Sequence, residues 1–132
     1  MDPRIVSEFR KIWRALDCKA SCSSVKPYKV YTALLTQNGT NAPVPIVLEN
    51  TLGVIATYEY TAVGNYLVTF DKTIFYSPEE YVTMSGNIGD KWAAAVPVFF
   101  NVLSIQSSDG GVPADNVIGQ YYPVILEIRR YN

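Results

Sequence analysis

The chain has 132 residues, of which 48% are hydrophobic and 17% are charged, and its net charge is −1 at pH 7. This composition argues against intrinsic disorder and predicts one folded domain with an appendage and an unusually uncharged surface. It gives no overall attraction to nucleic acid or to an anionic membrane, and no apolar run approaches the ~20 residues of a membrane-spanning helix. The first residues lack the pattern of a secretory signal, so we expect synthesis in the cytoplasm.

Residues 1–24 predict a single amphipathic helix. Asp2 suits the N-cap, and Pro3 suits the first helical position, where its missing N–H costs nothing. Apolar residues then recur at spacings of three and four, as they do along one face of a helix. An isolated helix of this length is marginal in water, so we expect another surface to cover the stripe. The predicted oligomerisation or docking residues are Ile5, Val6, Phe9, Ile12, Trp13 and Leu16.

This first segment also differs from the rest in charge. Residues 1–26 hold six basic and three acidic side chains, a local +3, whereas the remainder holds five basic and nine acidic ones, a local −4. The segment therefore complements an acidic surface, which the rest of its own assembly can supply. We interpret the basic residues Arg10, Lys11 and Arg14 as a solvated helix face and expect no contact with nucleic acid. Cys18 and Cys22 share one helix face; small apolar packing is favoured over a thiol site for metal capture or interchain disulfides.

From Tyr28 onward the hydrophobic period changes to two, which predicts β-strands separated by Gly, Pro and Asn turns. We expect an antiparallel β-sandwich domain over residues 25–132, jelly-roll-like or immunoglobulin-like, behind the helix of residues 1–24. Residues 107–113 are predicted to be an exposed loop, and residues 114–119 to be irregular. The predicted strands are 28–36, 44–49, 54–60, 66–70, a short 73–76, a return to sheet at 81–84, a stretch at 92–105 that forms one bent strand or two, and 122–131.

No residue pattern in the chain supports catalysis. Histidine is absent, which excludes Ser-His and Cys-His nucleophiles and His-ligated zinc, and no phosphate-binding glycine loop is present. Asp71, Glu79 and Glu80 form the one acidic group of interest in the strand region. We interpret it as a solvated turn, because adjacent carboxylates on a strand point to opposite sides and no Asp-x-Asp spacing suits calcium. We therefore expect a protein that is not an enzyme, with no cofactor and no metal.

Asn38-Gly39-Thr40 matches a glycosylation sequon, and we interpret it as a turn. Tyrosines are numerous in the strand region. Tyrosine combines an apolar ring with a hydroxyl, so a cluster suits a core, a subunit interface or a sugar-stacking platform. Core and ordinary surface positions are favoured over sugar binding. The candidate ligand-contact residues are Tyr58, Tyr60, Tyr121 and Tyr122.

Four segments of the sequence stand out together, which are PYKVYTALLTQNGTNAP at residues 27–43, VLENTLG at 47–53, VGNY at 63–66 and LEIRRYN at 126–132. They resemble segments of small head-associated or tail-fibre-associated structural proteins of Bacteroidota-infecting tailed phages. A short helical segment before the first strand is also usual in that group. The resemblance implies a virion or fibre-associated structural module and assigns no catalytic residue. Residues 71–118 depart from the pattern, so no specific attachment partner follows from it.

These observations predict a non-enzymatic virion structural protein, a head, fibre or decoration module that is made in the host cytoplasm and located in the virion. We expect a homo-oligomer, with a trimer favoured, or docking onto other virion proteins through the N-terminal helix, without nucleic acid or membrane. The alternative is a fibre module that binds a host-surface glycan. In that hypothesis the tyrosine-rich surface and the loop at Asp109–Pro113 contact the polysaccharide.

Overall fold

The computed structural model describes residues 26–76, 80–87, 89–120 and 123–131. The predicted helix of residues 1–24 lies outside this range. Over the described residues the chain is mainly β, as predicted. Its strands are β1 (Tyr28–Thr36), β2 (Val44–Asn50), β3 (Ala56–Ala62), β4 (Asn65–Phe70), β5 (Glu80–Ser85), β6 (Lys91–Phe99), β7 (Val102–Asp109), β8 (Val112–Pro113) and β9 (Val124–Tyr131).

The strands form two antiparallel sheets. Sheet A has the order β2-β1-β9-β5, and sheet B has the order β3-β4-β7-β6, with the short β8 paired to β7. The first and last strands are neighbours, with Tyr28 opposite Tyr131 and Leu35 opposite Val124. Three pairs of consecutive strands, β1–β2, β3–β4 and β6–β7, are antiparallel hairpins whose two strands are neighbours in the same sheet.

Alternation of side chains explains why these segments are strands. In β9 the residues Val124, Leu126 and Ile128 are buried, while the residues between them are half-buried. β4 and β1 show the same period of two, which places one row of side chains on the inner face of each sheet. Each sheet therefore has one apolar face that must be covered.

The two inner faces cover each other and share one core. Tyr31 of sheet A meets Phe70 of sheet B edge to face, with ring centroids 5.7 Å apart, and Phe75 packs against Phe70 at 6.1 Å. Leu103 and Ile105 of β7 lie fully buried in the same cluster. Burying one such side chain is worth about 1.5–3 kcal/mol, so this shared core holds the two sheets together.

Some strand boundaries differ from those predicted. The stretch at 92–105 is two strands, joined by a tight hairpin at Phe100 and Asn101. Residues 73–76 form no strand; instead the Ile74 and Phe75 N–H groups both donate to the Phe100 carbonyl, at 2.9 Å. The expected loop at 107–113 is largely sheet, because β7 continues to Asp109 and turns back into β8.

Candidate assembly and binding surfaces

Strand β2 forms an apolar ridge on the edge of sheet A. We name the side chains of Val44, Ile46, Val47 and Leu48 the β2 ridge; all four are exposed. Val47 stands opposite Ala33 in the ladder, yet Val47 is 49% exposed and Ala33 is 0% exposed. Sheet B therefore covers β1 but stops short of β2, which leaves apolar side chains uncovered on both faces of an edge strand.

The second apolar surface lies where β6 turns into β7. Phe99 and Phe100 are 72% and 67% exposed, and Val98 beside them is also exposed. We name these three residues the hairpin tip. Large aromatic side chains are rarely left this open on the surface of a monomer, and contiguous exposed apolar patches mark interaction surfaces.

A groove runs beside this hairpin, between the edge strands β5 and β6. Its volume is about 410 Å³, and its lining includes Phe75, Val82, Ala95 and Pro97. The groove opens where the two sheets part, since β5 is the edge of sheet A and β6 is the edge of sheet B. β2 lies at the opposite edge of sheet A from β5. The two apolar surfaces thus occupy opposite sides of the molecule.

A polar network closes the end of the molecule that carries the β1–β2 and β3–β4 turns. We name it the polar clasp and define it as Gln37, Gly64, Asp115, Asn116 and Gln120. Asp115 accepts hydrogen bonds from the Gly64 N–H at 2.8 Å, the Tyr60 hydroxyl at 2.8 Å and the Tyr66 hydroxyl at 3.0 Å. Partial burial acts to raise the pKa of Asp115, but these three donors outweigh it and lower that pKa.

Gln37 anchors the other half of the polar clasp. Its buried amide donates to the carbonyls of Gly39 and Asn41 and accepts from the Asn116 N–H at 2.8 Å. Gln120 in turn donates to the Gln37 carbonyl at 3.0 Å. The segment 114–120 has no strand or helix, so these bonds replace the ladder bonds that would otherwise satisfy its backbone.

Two of the predicted ligand-contact residues face inward. Tyr58 is half-buried and its hydroxyl shares a 2.8 Å hydrogen bond with that of Tyr31, and burial raises the pKa of both tyrosines. The rings of Tyr60 and Tyr66 pack with their centroids 5.8 Å apart, and the Tyr60 hydroxyl donates a hydrogen bond to Asp115. Burial raises the pKa of Tyr66 to about 12. These hydroxyls are thus engaged within the chain.

The remaining predicted site residues fall on parts of the chain outside the described residues. This holds for Tyr121 and Tyr122, for Cys18 and Cys22, and for Glu79. It holds also for the whole docking stripe, which is Ile5, Val6, Phe9, Ile12, Trp13 and Leu16. Their roles therefore stay predictions.

The acidic residues that remain have local structural partners. Asp71 accepts from the Ile55 N–H at 2.7 Å, and Glu80 accepts from the Tyr76 N–H at 3.0 Å. Among the described residues no three His, Cys, Asp or Glu side chains lie close enough to hold a metal ion. None of the described segments forms a helix with the length and apolarity needed to cross a bilayer.

Sequence reasoning missed both apolar surfaces and Asp115. The sequence predicts a strand at 44–49, with Pro45 indicating an edge strand or a strand start, but four of the five residues in Val44–Leu48 are large and apolar, which breaks the alternation expected of a strand with one solvated face. That run was a usable signal. Asp115 gave no comparable signal, because its partners are 49 to 55 residues away in sequence.

Comparisons with protein-family models, with curated proteins and with solved structures found no match to this chain.

Proposed function

We propose that this protein is a non-enzymatic structural subunit that assembles with copies of itself, a trimer being the favoured form. The observation that supports this most directly is the exposure of the β2 ridge and the hairpin tip, which together present seven large apolar side chains to water. Such side chains gain roughly 25 cal/mol for each Å² of apolar surface that a partner covers. A surface of this kind is stabilising only when it is covered.

A second copy of the chain is the partner that the placement of these surfaces favours. β2 lies on one side of the molecule, and the groove and the hairpin tip lie on the other. Contact between two different surfaces of identical subunits is heterologous, and it closes into a ring when the rotation per subunit allows. Pro45 in β2 and Pro97 in β6 each remove a ladder donor, so side-chain packing is favoured over extension of the sheet.

The N-terminal segment supplies a further element of this proposal. Residues 1–26 carry a local charge of +3 and the remaining residues carry −4. This complementarity favours contact between the predicted helix and the body of a neighbouring copy, with the stripe from Ile5 to Leu16 as its apolar face. Docking of the same helix onto another virion protein is the other role within this proposal.

Location in a phage virion, as a head, tail-fibre or decoration module made in the host cytoplasm, is proposed from the sequence resemblance. The segments that carry it include β1, the turn that follows and the last strand β9. The low charge and the absence of histidine from the sequence agree with a passive building block.

Solution mass tests the assembly. We expect the full chain to elute with about three times its single-chain mass of 14.7 kDa in light scattering coupled to size exclusion at tens of micromolar. A lysine in place of Val47 or Phe99 should shift the protein toward the single-chain mass, because a charge cannot be buried in an apolar contact without a partner. Val63→Lys is the matched control for Val47→Lys, since Val63 is 54% exposed and Val47 is 49% exposed, but Val63 lies at the β3–β4 turn.

Removal of residues 1–24 tests the contribution of the predicted helix. We expect a folded body with a reduced mass, because the described core is formed by residues between Val30 and Ile128. A single-chain mass for the unaltered protein at every concentration would refute the assembly. An equal effect of Val63→Lys and Val47→Lys would refute the surfaces assigned to it.

A further inference from the structure

A small polar cleft opens on sheet B, at the end of β6 opposite the hairpin tip. We name it the Trp92 cleft; its volume is about 160 Å³, room for about five water molecules at ~30 Å³ each. It is lined by Gly64, Asn65, Trp92, Gln106, Ser107, Ser108, Gly111 and Pro113. Of the chain's two tryptophans, Trp92 is the one within the described residues, and it is 38% exposed.

The strand register fixes where these side chains stand. Gln106 of β7 lies between Asn65 of β4 and Ala94 of β6, and Trp92 stands opposite Ser108. Their alternation places them on the outer face of sheet B, opposite to Ile105 and Ser107; Gln106 and Trp92 are exposed there, and Ser108 is 4% exposed. The cleft is thus built on a hydrogen-bonded ladder, so its groups are held in place before any ligand arrives.

Several hydrogen-bonding groups in the Trp92 cleft are free. Within the described residues, neither the Trp92 indole N–H nor the Gln106 amide has a hydrogen-bond partner, so two kinds of donor and one acceptor remain available. Asn65 donates to the Val63 carbonyl at 2.9 Å, which orients its side chain and leaves its Oδ1 as an acceptor. Ser108 donates to the Val112 carbonyl at 3.0 Å and keeps its oxygen lone pairs.

The chemistry of the lining selects a class of ligand. None of the described residues that line the cleft is charged, so nothing there compensates the charge of a phosphate or a carboxylate. An exposed indole offers an apolar face, and the amides and hydroxyl offer both donors and acceptors. A pyranose ring has the matching features, which are a C–H face and a rim of hydroxyls that both donate and accept.

We propose that the Trp92 cleft binds one saccharide ring, with the sugar face against the Trp92 indole and its hydroxyls on Gln106 and Asn65. The turn at Gly110 and Gly111, part of the loop that the sequence singled out, borders this site. The site goes beyond the assembly role, since it shares no residue with the β2 ridge or the hairpin tip. Each can therefore fail without the other.

Titration with simple sugars tests the site directly. The probes are the methyl pyranosides of glucose, galactose, mannose, rhamnose and N-acetylglucosamine, each added to the full-length protein. The chain has only two tryptophans, so a nitrogen–proton correlation spectrum contains two indole signals, and Trp13→Phe assigns them. We expect a saturable shift of the Trp92 signal with at least one probe. No saturable shift with any of the five probes would overturn the proposal.

Substitutions in the Trp92 cleft test whether the sugar binds there, through the change in its dissociation constant. For Trp92→Ala, which lacks the indole signal, the constant is measured from backbone signals of β7. Trp92→Ala should weaken binding by about tenfold or more and Gln106→Ala by about three- to tenfold, as loss of a stacking face or of a hydrogen bond predicts. Tyr81→Ala removes an aromatic side chain of β5 that is 50% exposed, against 38% for Trp92, and should leave the dissociation constant unchanged. Gln106 is exposed, so its variant should fold even if Trp92→Ala does not. Binding that survives Gln106→Ala unchanged, or falls equally with Tyr81→Ala, would place the sugar elsewhere and overturn the assignment.

Discussion

The polar clasp and the two apolar surfaces differ in whether their side chains find partners within the chain. At the clasp, irregular backbone is held by side chains whose hydrogen bonds are completed inside the chain, as for Gln37 and Asp115. At the β2 ridge and the hairpin tip, strands and their turn carry apolar side chains that remain exposed over the described part of the chain. The polar groups of the irregular region therefore find their partners within the chain, whereas the apolar side chains of these strands do not.

This contrast separates stability from assembly. Bonds in the polar clasp join turns that are far apart in sequence, so their loss should lower the free energy of unfolding of one subunit. The apolar surfaces contribute less to the stability of a single subunit than core residues do, because about half or more of each side chain stays in water. Substitutions in one region should leave the other property nearly intact.

The largest expected effect is that of Gly64→Ala in the polar clasp. Gly64 has φ +66°, and an added Cβ would lie 2.5 Å from the Ser107 carbonyl oxygen and 2.6 Å from the Ala114 nitrogen. We expect a loss of about 2–4 kcal/mol, from the left-handed backbone and from the displacement of two backbone segments. Thermal unfolding should show a Tm lower by roughly 10 °C or more.

Gly39→Ala is the matched control for this substitution. Gly39 has φ +56°, but an added Cβ would meet nothing within 4 Å. Only the backbone cost remains, about 1–2 kcal/mol. Equal losses in the two variants would show that the close approach of β7 and the 114–120 segment to Gly64 is not what makes the position sensitive.

The next largest effect is that of Asp115→Ala. It leaves the Gly64 N–H and the Tyr60 and Tyr66 hydroxyls without their acceptor. We expect a loss of about 1–3 kcal/mol in urea unfolding, with the solution mass unchanged. Asp115→Asn keeps one acceptor oxygen and should lose less. A change in mass with unchanged stability would reverse the roles assigned to the two regions.

The pH dependence of stability tests whether Asp115 contributes as an ionised carboxylate. The hydrogen bonds to Asp115 hold its pKa below the ordinary value of 3.8, so the stability it contributes is complete above that value. That contribution falls as the pH drops through 3.8 toward the lowered pKa of the folded state. Urea unfolding should therefore show a smaller difference between the unaltered protein and Asp115→Asn at pH 3 than at pH 7. A difference that grows at pH 3 would contradict the lowered pKa.

The smallest effect on stability is expected at the apolar surfaces. Phe99→Lys should change the unfolding free energy of the single subunit by less than about 0.5 kcal/mol, because an exposed side chain loses little packing. The unfolding free energy should be measured at concentrations low enough to keep the chain monomeric. At higher concentration the same substitution should lower the mass of the assembly toward that of a single chain. A destabilisation as large as that of Asp115→Ala would show that the hairpin tip already supports its own subunit.

The sequence contained enough to predict the strands whose alternation is clean. β1 and β9 fall almost where predicted, since each has three successive apolar residues on its inner face, which are Tyr31, Ala33 and Leu35 in β1 and Val124, Leu126 and Ile128 in β9. The β6–β7 hairpin could be predicted only as one of two alternatives, because Phe99-Phe100-Asn101 turns without glycine or proline in the middle of an apolar run. The mainly β class followed from these patterns; the order of strands did not, since it depends on long-range pairing.

The candidate sites were harder to predict than the strands. Tyr58 and Tyr60 share their strand face with Ala56, while Thr57 and Glu59 take the other face, so alternation already indicated that the tyrosines turn inward. The Trp92 cleft had no such signal. Asn65, Trp92 and Gln106 come from three strands and meet only through the register of sheet B.

The pairing of β1 with β9 has a mechanical consequence. Tyr28 and Tyr131 are register partners whose rings lie 5.3 Å apart, so whatever precedes the first strand and whatever follows the last one leave the body at a single corner. A dye attached at the C-terminus would therefore sit beside the root of the leading segment and report by energy transfer on its approach to another subunit.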